Sequence, residues 1–309
     1  MAMMTRNTEL GIDVAKNWLD ISDGKQVTRI DNNRPAIKRF LKQLPSITCI
    51  SIESTNTYHE LFVELAILDK HTVYMIDAYR LSRYRDAVGV RAKTDVSDAH
   101  LIRRYMKVEK HQLIPFKPIP KAVKRLNRLL KARAKLAKSK ATIGLSLKGV
   151  TELAQTRSAL MRRIEQAMAL IDKRVQACIQ LAGFSDDYQR CLGIPGIGPQ
   201  NAASLVAIYH RGTFRKSDSF IAFIGLDVRV RESGYYKGRR KLTKQGNPEI
   251  RRLLFNAARA ATRTERWNDY YLSMRARGHS TTATAVALSR KIARLAFALM
   301  RDQAQYKMV

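Results

Sequence analysis

From residue 121 to residue 182 the sequence offers few points at which a helix must stop. KAVKRLNRLLKARAKLAKSKATI sets leucines and alanines among its bases. Leu153, Leu160, Ile164, Met168, Ile171 and Val175 come next at spacings of three, four or seven. Apolar residues at those intervals share one helix face, so the stretch reads as two long helices, in an antiparallel hairpin or a partner-binding coiled coil. A helical linker with a solvated basic face is the alternative. Either way, the segment divides an N-terminal part from a C-terminal part, with boundaries expected at 8–112, 113–185 and 186–303.

Charge marks the same division. Residues 103–148 hold 15 Lys or Arg and one acid, in a chain with 57 bases, 26 acids and a formal net charge of +31 over 309 residues. Such an excess raises affinity for a polyanion and does little for a fold. The sequence has no uninterrupted apolar run of membrane-spanning length and no signal-peptide core near its start, so nucleic acid is the expected partner and a membrane is not. Cys49, Cys178 and Cys191 are far apart and form no CxxC pair. That argues against a disulfide scaffold or a structural zinc site and fits a reducing cytoplasm.

The segment before the basic helices alternates between strand and helix patterns. LGIDVAKNWLDISDGKQVTRID, 10–31, breaks at Asp20 and at SDG, as two or three hairpin-linked strands would. Helical spacing over 34–44 ends at Pro45, and 46–55 reads as a strand with Glu53 near its end. A helix over 57–69, a strand over 71–77 and a helix over 95–106 complete an α/β domain. After the basic helices, IPGIG followed by PQNAASLVA has the form of a helix-hairpin-helix turn. There Gly196 and Gly198 would let the backbone approach a phosphate that helix amides bind. A helix from Pro248 and an Ala-rich helix or pair through 302 make the rest mainly α-helical.

Four carboxylates in the first domain share a possible purpose. Asp13 lies in or just after the first strand and Glu53 near the end of a later one. Asp95 and Asp98, three apart at a helix start, share a face. Gathered around a divalent ion, they would lose their mutual repulsion while the ion polarised a phosphodiester; hard oxygen ligands suit Mg2+ or Mn2+. Spacing alone leaves two ordinary roles open, a structural Asp in a strand-turn and DxxD as helix capping.

Several stretches together resemble the DEDD transposases of bacterial insertion sequences and the related Piv-type DNA invertases. They are GIDVAK at 11–16, IEST at 52–55, the RxxxxxRAKTDVSDA run from Arg85 to Ala99, LGIPGIGP at 192–199 and FIGLDVRVRESGYYKGRRKLTKQGNPEIRRLL at 223–254. The resemblance implies an RNase H-like (RuvC-like) N-terminal domain whose acidic tetrad is Asp13, Glu53, Asp95 and Asp98. It also implies a C-terminal transposase domain whose DNA nucleophile is Ser233. A homodimer or homotetramer is implied too, acting on double-stranded DNA in the bacterial cytoplasm at the nucleoid. Some members of the family use a structured guide (bridge) RNA, with which the basic 103–148 region is compatible, as it is with duplex DNA.

The expected chemistry is cleavage and rejoining of DNA through a phosphoserine intermediate with divalent-metal assistance. Residues 229–252 contain nine bases and two acids. Arg231, Lys237, Arg239 and Arg240 are candidates for holding phosphate oxygens, with Lys241 and Lys244 for backbone binding. Tyr235 and Tyr236 are weaker nucleophile candidates, because the Arg-His-Arg-Tyr context of tyrosine recombinases is not evident. Ser97, between two proposed ligands, reads as a local helix hydrogen-bonder. The competing readings are a Piv-type invertase with the same chemistry, a metal-dependent junction nuclease using water, and a non-catalytic nucleic-acid-binding protein.

Overall fold

Alternation along the first strand decides how the N-terminal unit is layered. In β1 (Glu9–Val14), Leu10, Ile12 and Val14 are buried on one face of the sheet, and Gly11 and Asp13 take the other. The computed structural model describes residues 9–45, 47–54, 57–90, 94–212, 214–229, 232, 233, 235–238 and 240–307. The chain divides into two compact units, Met1–Pro118 and Ile119–Val309.

In the first unit, β2 (Trp18–Ser22) and β3 (Val27–Asp31) continue from β1 as an antiparallel meander. After α1 (Arg34–Leu41) comes β4 (Cys49–Glu53), and after α2 (Glu60–Leu68) comes β5 (Thr72–Ile76); both strands add in parallel on the other side of β1. The sheet order is β3-β2-β1-β4-β5. Leu10, Ile12, Leu19, Ile21, Ile50 and Ile52 form a core with Ile37 and Leu41 of α1 and Phe62, Val63 and Ala66 of α2. This mixed five-stranded sheet, with mostly helical structure after it, agrees with the RNase H-like plus helical architecture expected.

The opposite face receives α4 (Asp95–Glu109), reached through α3 (Ala78–Ala87). Glycine at position 11 makes the close approach possible: a Cβ there would stand 2.4 Å from the Ala99 carbonyl oxygen and from the Arg103 nitrogen. Hydrogen bonds fix the register of helix on sheet. Arg103 Nε donates to the Glu9 carbonyl (2.8 Å), Ser51 Oγ to the Ile102 carbonyl (3.3 Å), and Ser22 Oγ pairs with His100 Nδ1 (2.7 Å). α4 therefore runs antiparallel to β1, its first turn beside the strand's C-terminal end. Helix α3 lies outside the sequence expectation, and Asp20, expected to interrupt the strand, sits buried in the middle of β2.

The second unit begins with the two long helices, α5 (Lys121–Ser146) and α6 (Ala154–Leu181). A bidentate Arg133–Asp172 contact and a single Lys140–Glu165 bond pair them antiparallel. Leu126, Val175, Cys178 and Ile179 join them to a core that also takes α7 (Ser185–Leu192), α8 (Pro199–Tyr209) and α9 (Ser217–Ile224). Four two-residue strands come next as nested hairpins: β6 (Val228–Arg229) with β9 (Lys241–Leu242), enclosing β7 (Glu232–Ser233) with β8 (Tyr236–Lys237). The unit closes with α10 (Pro248–Ala261), α11 (Glu265–Ala276) and α12 (Thr281–Arg301). Residues 201–208 of α8 are all buried, so α8 is the central helix.

Candidate active site

Parallel pairing of β1 with β4 brings their C-terminal ends to one edge of the sheet, where open α/β sheets place their ligands. Asp13 and Glu53 arrive there on the face that α4 covers. Asp95 and Asp98 come to the same end of the sheet because α4 starts there. Its start is set by Thr94: the Thr94 hydroxyl accepts from the Ser97 amide (3.2 Å), and Ser97 Oγ accepts from the Thr94 amide (2.9 Å). Ser97 is thus a capping residue, and the helix dipole favours the two carboxylates of the first turn.

The carboxylates feel one another. Burial is the largest influence on Asp13 and raises its pKa to about 6. The Val14 backbone hydrogen bond opposes this, and the charges of Asp98, Glu53 and Asp95 add to it. A fifth carboxylate sits beside them. Asp20 faces Asp13 directly across the β1–β2 ladder, is 2% exposed, and pairs in turn with Arg29 of β3. Arg29 grips it with two bonds of 2.8 Å, reaches Asp95 at 3.2 Å and lies 5.1 Å over the Trp18 ring. Asp98 is held by Arg85 of α3 at 2.5 Å.

These partners are not legible in the sequence. Asp20 reads as a break, and only the register shows it opposite Asp13; Arg85 stands in a recognised run without a role. Among the described residues no three histidine, cysteine, aspartate or glutamate side chains lie close enough together to hold an ion as they stand. The donor set still fits Mg2+ or Mn2+ in kind, because it consists of hard oxygen ligands whose mutual repulsion a cation would relieve.

Ser233 lies in the second unit, exposed on β7 and paired with Tyr236 across the inner hairpin. The hairpin is tied at its base: the Thr243 amide donates to the Asp227 carbonyl (3.0 Å), the Thr243 hydroxyl bonds the Asp227 carboxylate, and Leu242 packs on the core. Arg251 adds bonds to the carbonyls of Ile224 (3.2 Å) and Gly246 (2.9 Å). Tyr235 is wholly exposed, so it is no part of the core. Arg240, Lys241 and Lys244 are exposed along the same segment. Arg231 and Arg239, with the side chain of Lys237, fall outside the described residues.

The IPGIG turn joins α7 to α8 as a helix-hairpin-helix would. Gly196 has φ +88°, and a Cβ there would lie 2.4 Å from the Ala257 carbonyl oxygen of α10. Packing by itself therefore demands glycine at 196. Gly198 caps α8 with nothing within 4 Å of where a side chain would go, so its face is open.

Comparison with known proteins matches both halves. The family model for DEDD transposases of the IS110 group, described as a transposase, matches residues 10–151. The model described as the transposase IS116/IS110/IS902 family matches residues 188–272. The chain belongs to the IS110/IS116 family of DEDD transposases. It is a DNA recombinase of that family, related to the Piv-type invertases. Similar family relatives include the pilin gene-inverting protein of Moraxella bovis, 25% identical over 96% of both chains. A probable family 20 transposase of Pseudomonas aeruginosa is 22% identical over 97% of this chain and 98% of its own. The transposase for insertion sequence element IS1111A of Coxiella burnetii is 25% identical over 72% of this chain and 76% of its own. The family's DEDD domain implies dependence on divalent metal. No helix among the described residues is long and apolar enough to cross a membrane.

Proposed function

We propose that the chain cuts and rejoins double-stranded DNA with Ser233 as nucleophile and with Asp13, Glu53, Asp95 and Asp98 as its acidic site. The observation that carries this reading is the convergence of the four carboxylates at one sheet edge, in a chain that presents a serine on a tethered basic hairpin. Those four residues would hold Mg2+ or Mn2+, and the bound ion would supply polarisation of the scissile phosphodiester.

Ser233 Oγ attacks phosphorus as its proton passes to the acidic site. The bond from phosphorus to the 3′ oxygen breaks, that oxygen takes up a proton, and the DNA 5′ phosphate remains esterified to serine. The ester keeps the bond energy, so a 3′ hydroxyl of another DNA end can attack the phosphoserine and restore Ser233 without an added nucleotide. Arg231, Lys237, Arg239 and Arg240 balance the phosphate charge, while Lys241, Lys244 and the amides near Gly196 and Gly198 bind backbone more generally.

Exposed Leu145, Leu153, Leu160 and Leu170 on the α5–α6 hairpin support association of copies into a dimer or tetramer. The basic 103–148 region supports a nucleic-acid contact, with duplex DNA or with a guide RNA that pairs with the DNA ends. The same chemistry serves transposition and inversion, and relatives of both descriptions align over nearly the whole chain.

A suicide DNA substrate tests the reading. Wild type is expected to form a covalent protein–DNA adduct that Ser233→Ala abolishes while DNA binding persists. Cleavage that survives Ser233→Ala without an adduct would establish a water-using nuclease instead.

A further inference from the structure

Among the described residues two arginines bond members of the acidic tetrad, Arg29 to Asp95 and Arg85 to Asp98, and they are held in different ways. Arg29 is clamped by both of its bonds to Asp20, which is outside the tetrad, and it touches Asp95 only from that anchored position. Among the described residues the Arg85 side chain makes a single hydrogen bond, Nη2 to Asp98 Oδ1, so its charge rests on a tetrad member itself. Its Nε is buried without a hydrogen-bond partner among the described residues. Both partners are largely out of water, at 15% and 11% side-chain exposure. The backbone that carries Arg85 is fixed, because the neighbouring Tyr84 packs edge-on against Tyr105 of α4 with centroids 5.0 Å apart.

A guanidinium bonded to one oxygen of a carboxylate competes with an ion for its charge, and a guanidinium and a divalent cation repel at that range. Arginine cannot relieve the conflict by losing its proton, so it must move. Its long stem permits that, and its fork fits phosphate as well as carboxylate. One bond and an unused Nε describe a guanidinium that can leave; the bidentate Arg29 describes one that stays.

We propose that Arg85 is a positioning residue that serves as the counter-cation of Asp98 in the metal-free protein and exchanges with the incoming ion. Once displaced, its fork turns to the phosphodiester that the ion draws in. The inference rests on the metal reading of the tetrad. It adds a step of ion-pair exchange, by which Asp98 stays paired until metal and DNA arrive.

Titration of the full chain with MnCl2 by calorimetry, with thermal melts in EDTA and in saturating Mn2+, tests it. Arg85→Gln keeps a hydrogen-bond donor and removes the charge; Arg85→Lys keeps the charge. Arg85→Gln is expected to bind Mn2+ about fivefold more tightly than wild type, and Arg85→Lys about as wild type does. The Gln variant should melt lower in EDTA and recover in Mn2+, whereas a merely structural role would lower both melts alike. With a duplex oligonucleotide, Arg85→Gln should weaken binding in Mn2+ and leave binding in EDTA unchanged. If wild type binds Mn2+, Asp13→Asn does not, and Arg85→Gln binds it no more tightly than wild type, the exchange is overturned and the metal site stands. Equal weakening of DNA binding with and without Mn2+ would overturn the release onto phosphate. If wild type binds Mn2+ no better than Asp13→Asn, the metal reading falls and the exchange falls with it.

Discussion

Asp13 is the residue at which sequence and structure speak most directly to each other. GID at the end of an apolar strand marks it, and the fold surrounds it with burial and three like charges that bring its pKa to about 6. The consequence for stability has a definite sign. The folded-state pKa lies above the ordinary aspartate value of 3.8, so the carboxyl's favourable contribution is complete below about pH 4 and is lost as pH rises through about 6. In metal-free protein, Asp13→Asn is therefore expected to be more stabilising, relative to wild type, at about pH 7.5 than at about pH 4.5. Urea denaturation in EDTA at the two pH values measures this; a difference that does not grow with pH would show that Asp13 is not under that strain. Asp20 and Arg29 stay hidden from the sequence for a physical reason. A one-residue change of register would turn Asp20 to the other face, and only the ladder shows it opposite Asp13.

Among elements, α4 does most to assemble the site, and its start is readable because TDVSDA combines a capping threonine with acids in the first turn. The sequence does not show why the helix lies on β1, since a contact between Gly11 and Ala99 joins distant parts of the chain and leaves no local pattern. Gly11→Ala tests that dependence. The added methyl must displace backbone of α4, a change expected to cost about 1–3 kcal/mol of stability, read from denaturation midpoints. It should also weaken Mn2+ binding, because Asp95 and Asp98 move with the helix. A variant with wild-type stability and metal affinity would show that the close packing is dispensable. Helix α3 escapes a reading of the sequence for the opposite reason. AYRLSRYRDA buries only Leu81, so it has no apolar stripe to reveal a period, although it carries the arginine that holds Asp98. The long helices α5 and α6 are legible because breaker-poor runs with apolar spacing need no distant partner to be recognised.

At the scale of the whole molecule, the tetrad belongs to one compact unit and Ser233 to the other. The formal charge of +31 announces a polyanion from composition alone, but no residue pattern encodes which copy's serine serves which copy's carboxylates. In the family reading the two halves of the site come from different protomers, and mixing variants exposes this. Asp13→Asn and Ser233→Ala should each fail to form the covalent adduct alone. In a mixed dimer that shares its sites across copies, one site receives both defects and the other neither. Equal mixing and free exchange of subunits should then restore adduct to about a quarter of the wild-type level. The restored adduct must sit on the Asp13→Asn chain, since only that chain keeps its serine, and a size tag on one variant reads this from a denaturing gel. With each site built within one chain, every site in the mixture carries a defect and no adduct forms at any ratio. Salt must be held low and constant throughout, because backbone contacts of so basic a chain weaken steeply as ionic strength rises, and loss of DNA binding would imitate failure to complement.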